Sequence, residues 1–313
     1  MIWGAHLHIG YNCFYDLGYD RVFSENDQKL RDFLYFDRPA WDKVTEFLPT
    51  IGLNTVVVEL AEGVKYDCAP ELAVKGSLEK SEVRMMLEKL RALGLTPIPR
   101  LDFSAAHDEW LGEYSRMLAT DEYRAFVKKL IAEVCELFDH PAYFDLGLAD
   151  ETYEAQKYYQ YVLVRGRINY WKDVCAMCEA CEENGARPII SGEYYYREPY
   201  LFKNNLPKNT VVAAPFEGFV NPPMDAYGRD PRTERQKQFE ELLDIDRDVL
   251  VISSGLTAFN TESLVAFIEK KQMKNLIGFV TSAGEATVDE TDYFVMNDAY
   301  RLGHTKEFHF KEK

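Results

Sequence analysis

Apolar and β-branched residues recur along this chain in short runs, and most runs are followed by a longer stretch with helical spacing. Eight short runs stand out, at residues 3–10, 54–60, 95–103, 143–148, 187–194, 210–216, 248–254 and 276–282. Their length and enrichment in Val, Ile, Leu and aromatic residues predict buried strands. Between them, residues 39–48, 77–93, 121–138, 230–244, 261–271 and 292–302 carry apolar positions at the period of an amphipathic helix, and 152–184 reads as mostly helical in two pieces. Several of these segments carry their own punctuation. Pro39 opens the first helix and Gly52 follows it, Gly94 stops the second, and Asn260 or Thr261 is placed to cap the one before the last strand. The third run, with Pro97 and Pro99, is the weakest strand, because proline cannot donate to a central ladder. Residues 11–38 read as a long aromatic and acidic loop, 198–208 as a short irregular link, and 218–229 as a Pro/Gly loop.

Strands that alternate with helices predict a parallel sheet. Eight of them in 313 residues predict a closed (β/α)8 barrel, read as one domain over residues 1–313. An open doubly wound sheet would carry a glycine-rich turn after its first strand. Here His8-Ile9-Gly10-Tyr11-Asn12 stands in that place, so no dinucleotide fingerprint exists.

In a parallel barrel the chemistry gathers at the C-terminal ends of the strands. The ends of these runs carry ionisable residues: His6 and His8, Glu59, Arg100 with Asp102, Asp150 with Glu151, Glu193, Glu217 and Glu285. The segment Phe144-Asp145-Leu146-Gly147-Leu148-Ala149-Asp150-Glu151 concentrates the signal, because two adjacent acids close a buried apolar strand. Carboxylates are costly to desolvate there. The alternative is that such acids cap the helix that follows, whose N-terminus favours negative charge. Several carboxylates in one cleft raise one another's pKa, which keeps a general acid protonated near neutrality.

Composition narrows the partner class. With 36 basic against 52 acidic residues the formal charge is −16, which disfavours nucleic acid and an anionic membrane surface. No stretch is long and apolar enough to span a bilayer. The six cysteines include Cys175, Cys178 and Cys181 in a C-x2-C-x2-C run. No fourth Cys-Pro follows, so buried thiols on a helix are expected rather than an iron–sulfur ligand set. Free thiols and the lack of a basic, apolar leader predict a cytoplasmic protein. No cofactor is expected.

The stretches 6–12, 97–102 with 107–112, and 144–151 resemble bacterial proteins related to family 20 glycoside hydrolases. The last is similar to the strand-four motif of the β-N-acetylhexosaminidases, which ends in Asp-Glu. The resemblance implies a barrel glycosidase with Glu151 as general acid/base. Asp150 would orient the substrate's acetamido group, so that the substrate supplies its own nucleophile. It covers roughly the first half of the chain. All four tryptophans precede residue 172, and Leu-Ala rather than small glycines precedes Asp150.

The expected function is therefore hydrolysis of a small glycoside by carboxylic acid/base catalysis. The catalytic residues would be Glu151 and Asp150, with His6, His8, Arg100, Asp102, His107, Glu193, Glu217 and Glu285 binding sugar and Trp110 and Tyr195 as walls. The seventh run ends without a carboxylate, so Glu193 or Glu217 is the natural second acid. Two alternatives stay open. One is a metal-dependent barrel hydrolase or sugar isomerase using His6, His8, Glu193 and Glu217. The other is a non-catalytic sugar-binding barrel.

Overall fold

The computed structural model describes residues 1–11, 31–149, 151–156, 162–224, 227–255, 257 and 259–310. Eight parallel strands close into a barrel in sequence order. They are β1 (Ile2–His8), β2 (Thr55–Glu59), β3 (Thr96–Arg100), β4 (Tyr143–Asp145), β5 (Arg187–Ser191), β6 (Val211–Pro215), β7 (Val249–Ser254) and β8 (Leu276–Ser282). The helices among the described residues are α1 (Arg38–Phe47), α2 (Lys80–Ala92), α3 (Asp121–Leu137), α4 (Tyr153–Gln156), α5 (Arg167–Glu183), α6 (Glu193–Arg197), α7 (Pro199–Asn205), α8 (Glu234–Leu243), α9 (Asn260–Lys271) and α10 (Asp292–His309).

Alternation along each strand splits the core in two. Side chains turned inward fill the barrel's interior with Val57, Ile98, Ile189, Val211, Ala213, Leu250 and Val280. Those turned outward, such as Leu7, Val56, Val58, Val212 and Val251, meet the helices in a much larger layer that includes Trp41, Leu87, Leu130, Trp171 and Leu264. This is the packed interior of a barrel rather than a pore. It leaves room only at the mouth, where the strands run out into polar residues.

The two prolines of β3 are accommodated by its pairing. In this strand the odd-numbered amides face β4, as Leu101 and Phe103 show by donating to the carbonyls of Asp145 and Leu146 at 3.0 and 3.2 Å. Pro97 and Pro99 have the same parity. The paired register with β4 begins only at Arg100, opposite Asp145, so no ladder bond is lost where the prolines stand. On the other side Thr55 to Glu59 pair with Thr96 to Arg100 without interruption.

Three local expectations change. The link at 198–208 is mostly helical: Pro199 begins α7, where proline suits the first turn. The three tyrosines after β5 lie in the short helix α6, and all three are buried. The last helix runs on to His309 because nothing in 303–309 breaks it, and Gly303 sits where a Cβ would meet the carbonyl of Ile51 at 2.4 Å. The described cysteines, Cys68, Cys135, Cys175, Cys178 and Cys181, are free thiols. On α5, Cys178 and Cys181 are buried, and burial pushes the Cys178 thiol up to about 12, as expected of packing rather than reactive thiols. No helix among the described residues is long and apolar enough to cross a membrane. Residues 12–30 of the expected loop lie outside the described residues.

Candidate active site

Strand register alone assembles the floor of the site. His8 pairs with Glu59, Glu59 with Arg100, and Arg100 with Asp145, so one residue from each of β1 to β4 stands in a continuous row across the mouth. Above this row lies a cavity of about 610 Å³, within the roughly 300–1,000 Å³ usual for small-molecule sites. Its lining includes His6, His8, Glu59, Arg100, Asp102, His107, Asp145, Ala149, Glu193, Phe216, Glu217 and Arg235.

Arg100 organises the row. Its Nε donates to Glu59 Oε2 at 2.6 Å, Nη2 to Asp102 Oδ2 at 2.6 Å and Nη1 to Asp145 Oδ2 at 2.8 Å. One guanidinium thus faces three carboxylates, each with an oxygen further engaged. Asp102 N–H donates to Glu59 Oε1 at 3.2 Å, Gly147 N–H to Asp145 Oδ1 at 2.9 Å, and Ser104 N–H to Asp102 Oδ1 at 2.9 Å. His107 Nδ1 lies 3.1 Å from Asp102 Oδ2. Burial alone would raise the Asp102 carboxyl, but Arg100 and then His107 hold it well below the usual range. Burial pushes the Glu59 carboxyl up, and Arg100 opposes this. The close approach of Asp102 to the fourth strand depends on Gly147. Its φ is +65°, and a Cβ there would lie 2.2 Å from Asp102 Oδ1.

The two β1 histidines are neutral. Their ring centroids are 4.4 Å apart, and burial, reinforced by Arg100 for His6 and by His6 for His8, lowers both to about 3. His8 Nδ1 lies 2.9 Å from the carbonyl of Glu285. A carbonyl only accepts, so this nitrogen carries the proton and Nε2 is left as an acceptor. His6 Nδ1 contacts Ser282 Oγ at 3.2 Å, while its Nε2 is buried without a hydrogen-bond partner.

The opposite wall comes from β5, β6 and α8. Glu193 opens α6 and pairs with Arg235 of α8, whose guanidinium stacks over Tyr196 at 3.2 Å from the ring centroid. Glu217 follows β6 two residues after Pro215. It lines the cavity, is exposed, and makes no hydrogen bond or ion pair with any described residue.

Glu151 is situated differently. It does not belong to the cavity lining, and its side chain is 3% exposed. Both its oxygens are engaged by Arg165, with Nε donating to Oε2 at 3.1 Å and Nη2 to Oε1, which also accepts from Ala105 N–H at 2.9 Å. Arg165, 1% exposed, also donates to the Phe103 carbonyl at 3.0 Å and to Asp173 Oδ2 at 3.4 Å. Asp173 in turn takes Arg124 at 2.8 Å. The segment from β4 therefore presents the methyl of Ala149 to the cavity and turns Glu151 into a sealed ion pair. Asp150, the other acid expected there, lies outside the described residues.

Of the remaining expected site residues, Trp110 is buried and donates from Nε1 to the Asp102 carbonyl at 3.0 Å, bracing that residue from behind. Tyr195 is fully buried between Phe202 and Tyr196, with its hydroxyl 3.2 Å from Glu241. Neither lines the cavity, nor does Glu285, whose backbone carbonyl contacts His8 Nδ1. Three residues that matter were not singled out in the sequence. Asp145 lies within an apolar run and reads as core. Arg235 lies in a charged helix among other charges. Arg165 lies in a patternless stretch before α5. The available signal was the register, which places Asp145 beside Arg100.

No group of three or more His, Cys, Asp or Glu side chains among the described residues is arranged to hold a metal ion.

No family model matches the chain, and no curated protein matches it by sequence. Solved structures do resemble it. A β-N-acetylhexosaminidase from Bacteroides fragilis NCTC 9343 superposes with a TM-score of 0.64 at 14% identity, over 96% of this chain and 65% of that one. A catalytic module of the pneumococcal exo-β-D-N-acetylglucosaminidase StrH gives 0.61 at 13% identity, over 98% and 83%. The family 20 β-N-acetylhexosaminidase of Streptomyces coelicolor A3(2) gives 0.60 at 10% identity, over 96% and 64%. The chain thus shares their barrel fold and spans just under two thirds of the length of the Bacteroides and Streptomyces enzymes.

Proposed function

We propose that the chain is a glycoside hydrolase that takes a small glycoside into the mouth cavity and cleaves it with carboxylic acid/base catalysis. The observation that carries this reading is the ring of carboxylates delivered to one cavity by β2, β3, β4 and the segments after β5 and β6, in a barrel of hexosaminidase shape. Sugar hydroxyls are donors. The floor offers them acceptors in fixed positions: the carboxylates clamped by Arg100 and the neutral Nε2 of His8.

Glycoside cleavage needs one carboxyl group that can hand over a proton and one that deals with the anomeric carbon. Glu59, Asp102 and Asp145 have both oxygens occupied, so they serve binding. Glu217 faces the cavity without a partner among the described residues, and we assign it the proton donor. Glu193, held by Arg235, is the second carboxylate. A second assignment follows from the resemblance at the end of β4, where Ala149 lines the cavity just before Asp150 and Glu151. On that assignment Glu151 is the acid/base, and it must first leave Arg165. Breaking a buried pair of that kind costs about 3–5 kcal/mol, which is why Glu217 is preferred.

A panel of aryl glycosides covering common sugars and both anomers tests the reading. Turnover of at least one, insensitive to chelator, is expected. Sugar binding without turnover across the whole panel would reduce the protein to a carbohydrate-binding barrel.

A further inference from the structure

Resting on the glycosidase reading and on Glu217 as its proton donor, we propose that Asn260 is the positioning residue for that donor. Asn260 reads in the sequence as a cap for α9, but the helix begins at Asn260 itself, and its fully buried side chain bonds outside the helix. Nδ2 donates to the carbonyls of Phe216 and Gly218 at 2.8 and 2.7 Å, the two residues on either side of Glu217. Oδ1 accepts from Ser254 N–H, at the end of β7, at 2.9 Å. Carbonyls only accept and a backbone N–H only donates, so the three partners fix which way the amide points. One side chain thus clamps the backbone before and after Glu217 and ties it to the next strand.

The bracing continues along the segment. Phe216 N–H donates to the Ile252 carbonyl at 3.3 Å, and Val220 N–H to Ser263 Oγ at 3.1 Å. Ser263 Oγ in turn donates to the Asn260 carbonyl at 3.1 Å. Asn221 is held through its N–H and carbonyl by the Gln236 side chain at 3.0 and 2.7 Å. The Glu217 carboxyl has no partner among the described residues to hold it, so its place in the cavity is set by its backbone, and that backbone is set by Asn260. The placement is not free of strain. Phe259 holds a left-handed φ of +61°, an outlier for a bulky residue, and such a conformation persists only where the surroundings enforce it. The Phe259 ring is exposed, so its own packing does not account for the turn; what the turn achieves is the placement of Asn260. A general acid works only within hydrogen-bond reach of the oxygen it protonates, and about 1 Å of misplacement can cost about 10²-fold. The need for that proton grows with the basicity of the leaving oxygen. A phenolate requires it as the bond to the anomeric carbon breaks, whereas a dinitrophenolate departs without it. A misplaced donor therefore penalises the first and spares the second, while general damage to the fold or the sugar site penalises both.

The test compares kcat/KM on the phenyl and dinitrophenyl glycosides of the sugar that the panel selects. Wild type, Glu217→Gln, Asn260→Ala and Ser263→Ala are assayed, with melting temperatures taken on the same preparations. Glu217→Gln sets the signature, a loss far larger on the phenyl glycoside than on the dinitrophenyl one. Asn260→Ala should carry the same signature in weaker form, falling about 10–100-fold on the phenyl glycoside and staying within a few-fold on the other. Ser263→Ala releases only Val220 and the far side of the brace, so it should show the signature at a few-fold. If Asn260→Ala does not fold, Ser263→Ala decides by the same rule. Equal losses on both glycosides, or no loss on either, with Glu217→Gln keeping its signature, would overturn the positioning role and leave Glu217 as the donor. A Glu217→Gln enzyme without the signature would remove the donor and this inference with it, while turnover by wild type keeps the glycosidase reading. No turnover of any glycoside by wild type would overturn all of them.

Discussion

Arg100 and Arg165 do the same chemistry in opposite places. Each guanidinium gathers carboxylates from neighbouring elements at the barrel's upper end, and each pair is tight. Arg165 meets two carboxylates and a carbonyl in a pocket where it is 1% exposed, and Glu151 and Asp173 are 3% and 0% exposed. Arg100 meets three carboxylates at 17% exposure on the floor of an open cavity. The first cluster has its charges matched and water excluded, so it can only hold parts together. The second is overloaded with acid and open on one side, so it can receive something. Residue type and position at a strand end do not separate a working carboxylate from a structural one; the local ratio of charges and access to the cavity do.

Removing each arginine should expose that difference most sharply. Arg165→Ala leaves Glu151 buried without the guanidinium that engages both its oxygens, while Asp173 keeps Arg124. It should cost about 3–5 kcal/mol of stability, read as the shift in urea midpoint, or yield no folded protein. Arg100→Ala leaves more carboxylates behind, but water from the cavity can reach them. Its cost in the same measurement should be about half, with sugar binding lost. Equal costs would mean that the cavity does not hydrate its floor.

A smaller effect concerns pH. The ordinary value for His8 is 6.5 and burial lowers it to about 3, so between these two values the unfolded chain holds the extra proton. The stabilisation from a neutral His8 is fully present above 6.5 and is lost as pH falls toward 3. The slope it contributes is about 1.4 kcal/mol per pH unit. Stability against pH for wild type and His8→Gln should therefore diverge in slope by about that amount between pH 6 and 4, the variant being the flatter. Parallel curves would show that His8 charges freely in the folded state. Asp298, which burial raises to about 6, works in the opposite direction and is common to both proteins, so it cancels in the difference.

Arg235→Ala should be the mildest change. Its pair with Glu193 is partly exposed, 41% and 27%, and such pairs are worth about 0–1 kcal/mol. The melting temperature should barely move. Sugar affinity should change more than stability does, because Glu193 loses its pair with Arg235 at the cavity wall.

Much of this architecture is legible in the chain. The eight runs announce a barrel because each is apolar for the length of a strand and most are followed by a helical period. The acids at their ends announce a mouth. What stays hidden depends on partners distant in sequence. Nothing in Asp-Glu at 150–151 says that Glu151 will turn toward Arg165, fourteen residues on, because the intervening stretch has no periodicity to place it. Trp110 and Tyr195 read equally well as sugar walls or as core, and packing against Asp102 and Phe202 decided for core. Asp145 was masked by its apolar neighbours, although the register that pairs it with Arg100 follows once β3 and β4 are aligned. The prolines of β3 looked like a defect and are neutral, since both face the side of the strand where pairing has not yet begun.

The assignment of roles rests on Glu217 rather than Glu151 handling the proton, and one paired experiment addresses it. Glu217→Gln and Glu151→Gln are compared with wild type for kcat/KM on the best aryl glycoside and, in the same preparations, for urea stability. The expected result is a crossed pattern. Glu217→Gln loses about 10²–10⁴-fold in kcat/KM with its stability unchanged, while Glu151→Gln loses stability and keeps turnover within a few-fold. The reverse pattern, full activity without Glu217 and none in a folded Glu151→Gln, would contradict the account and return the proton to the pair at the end of β4.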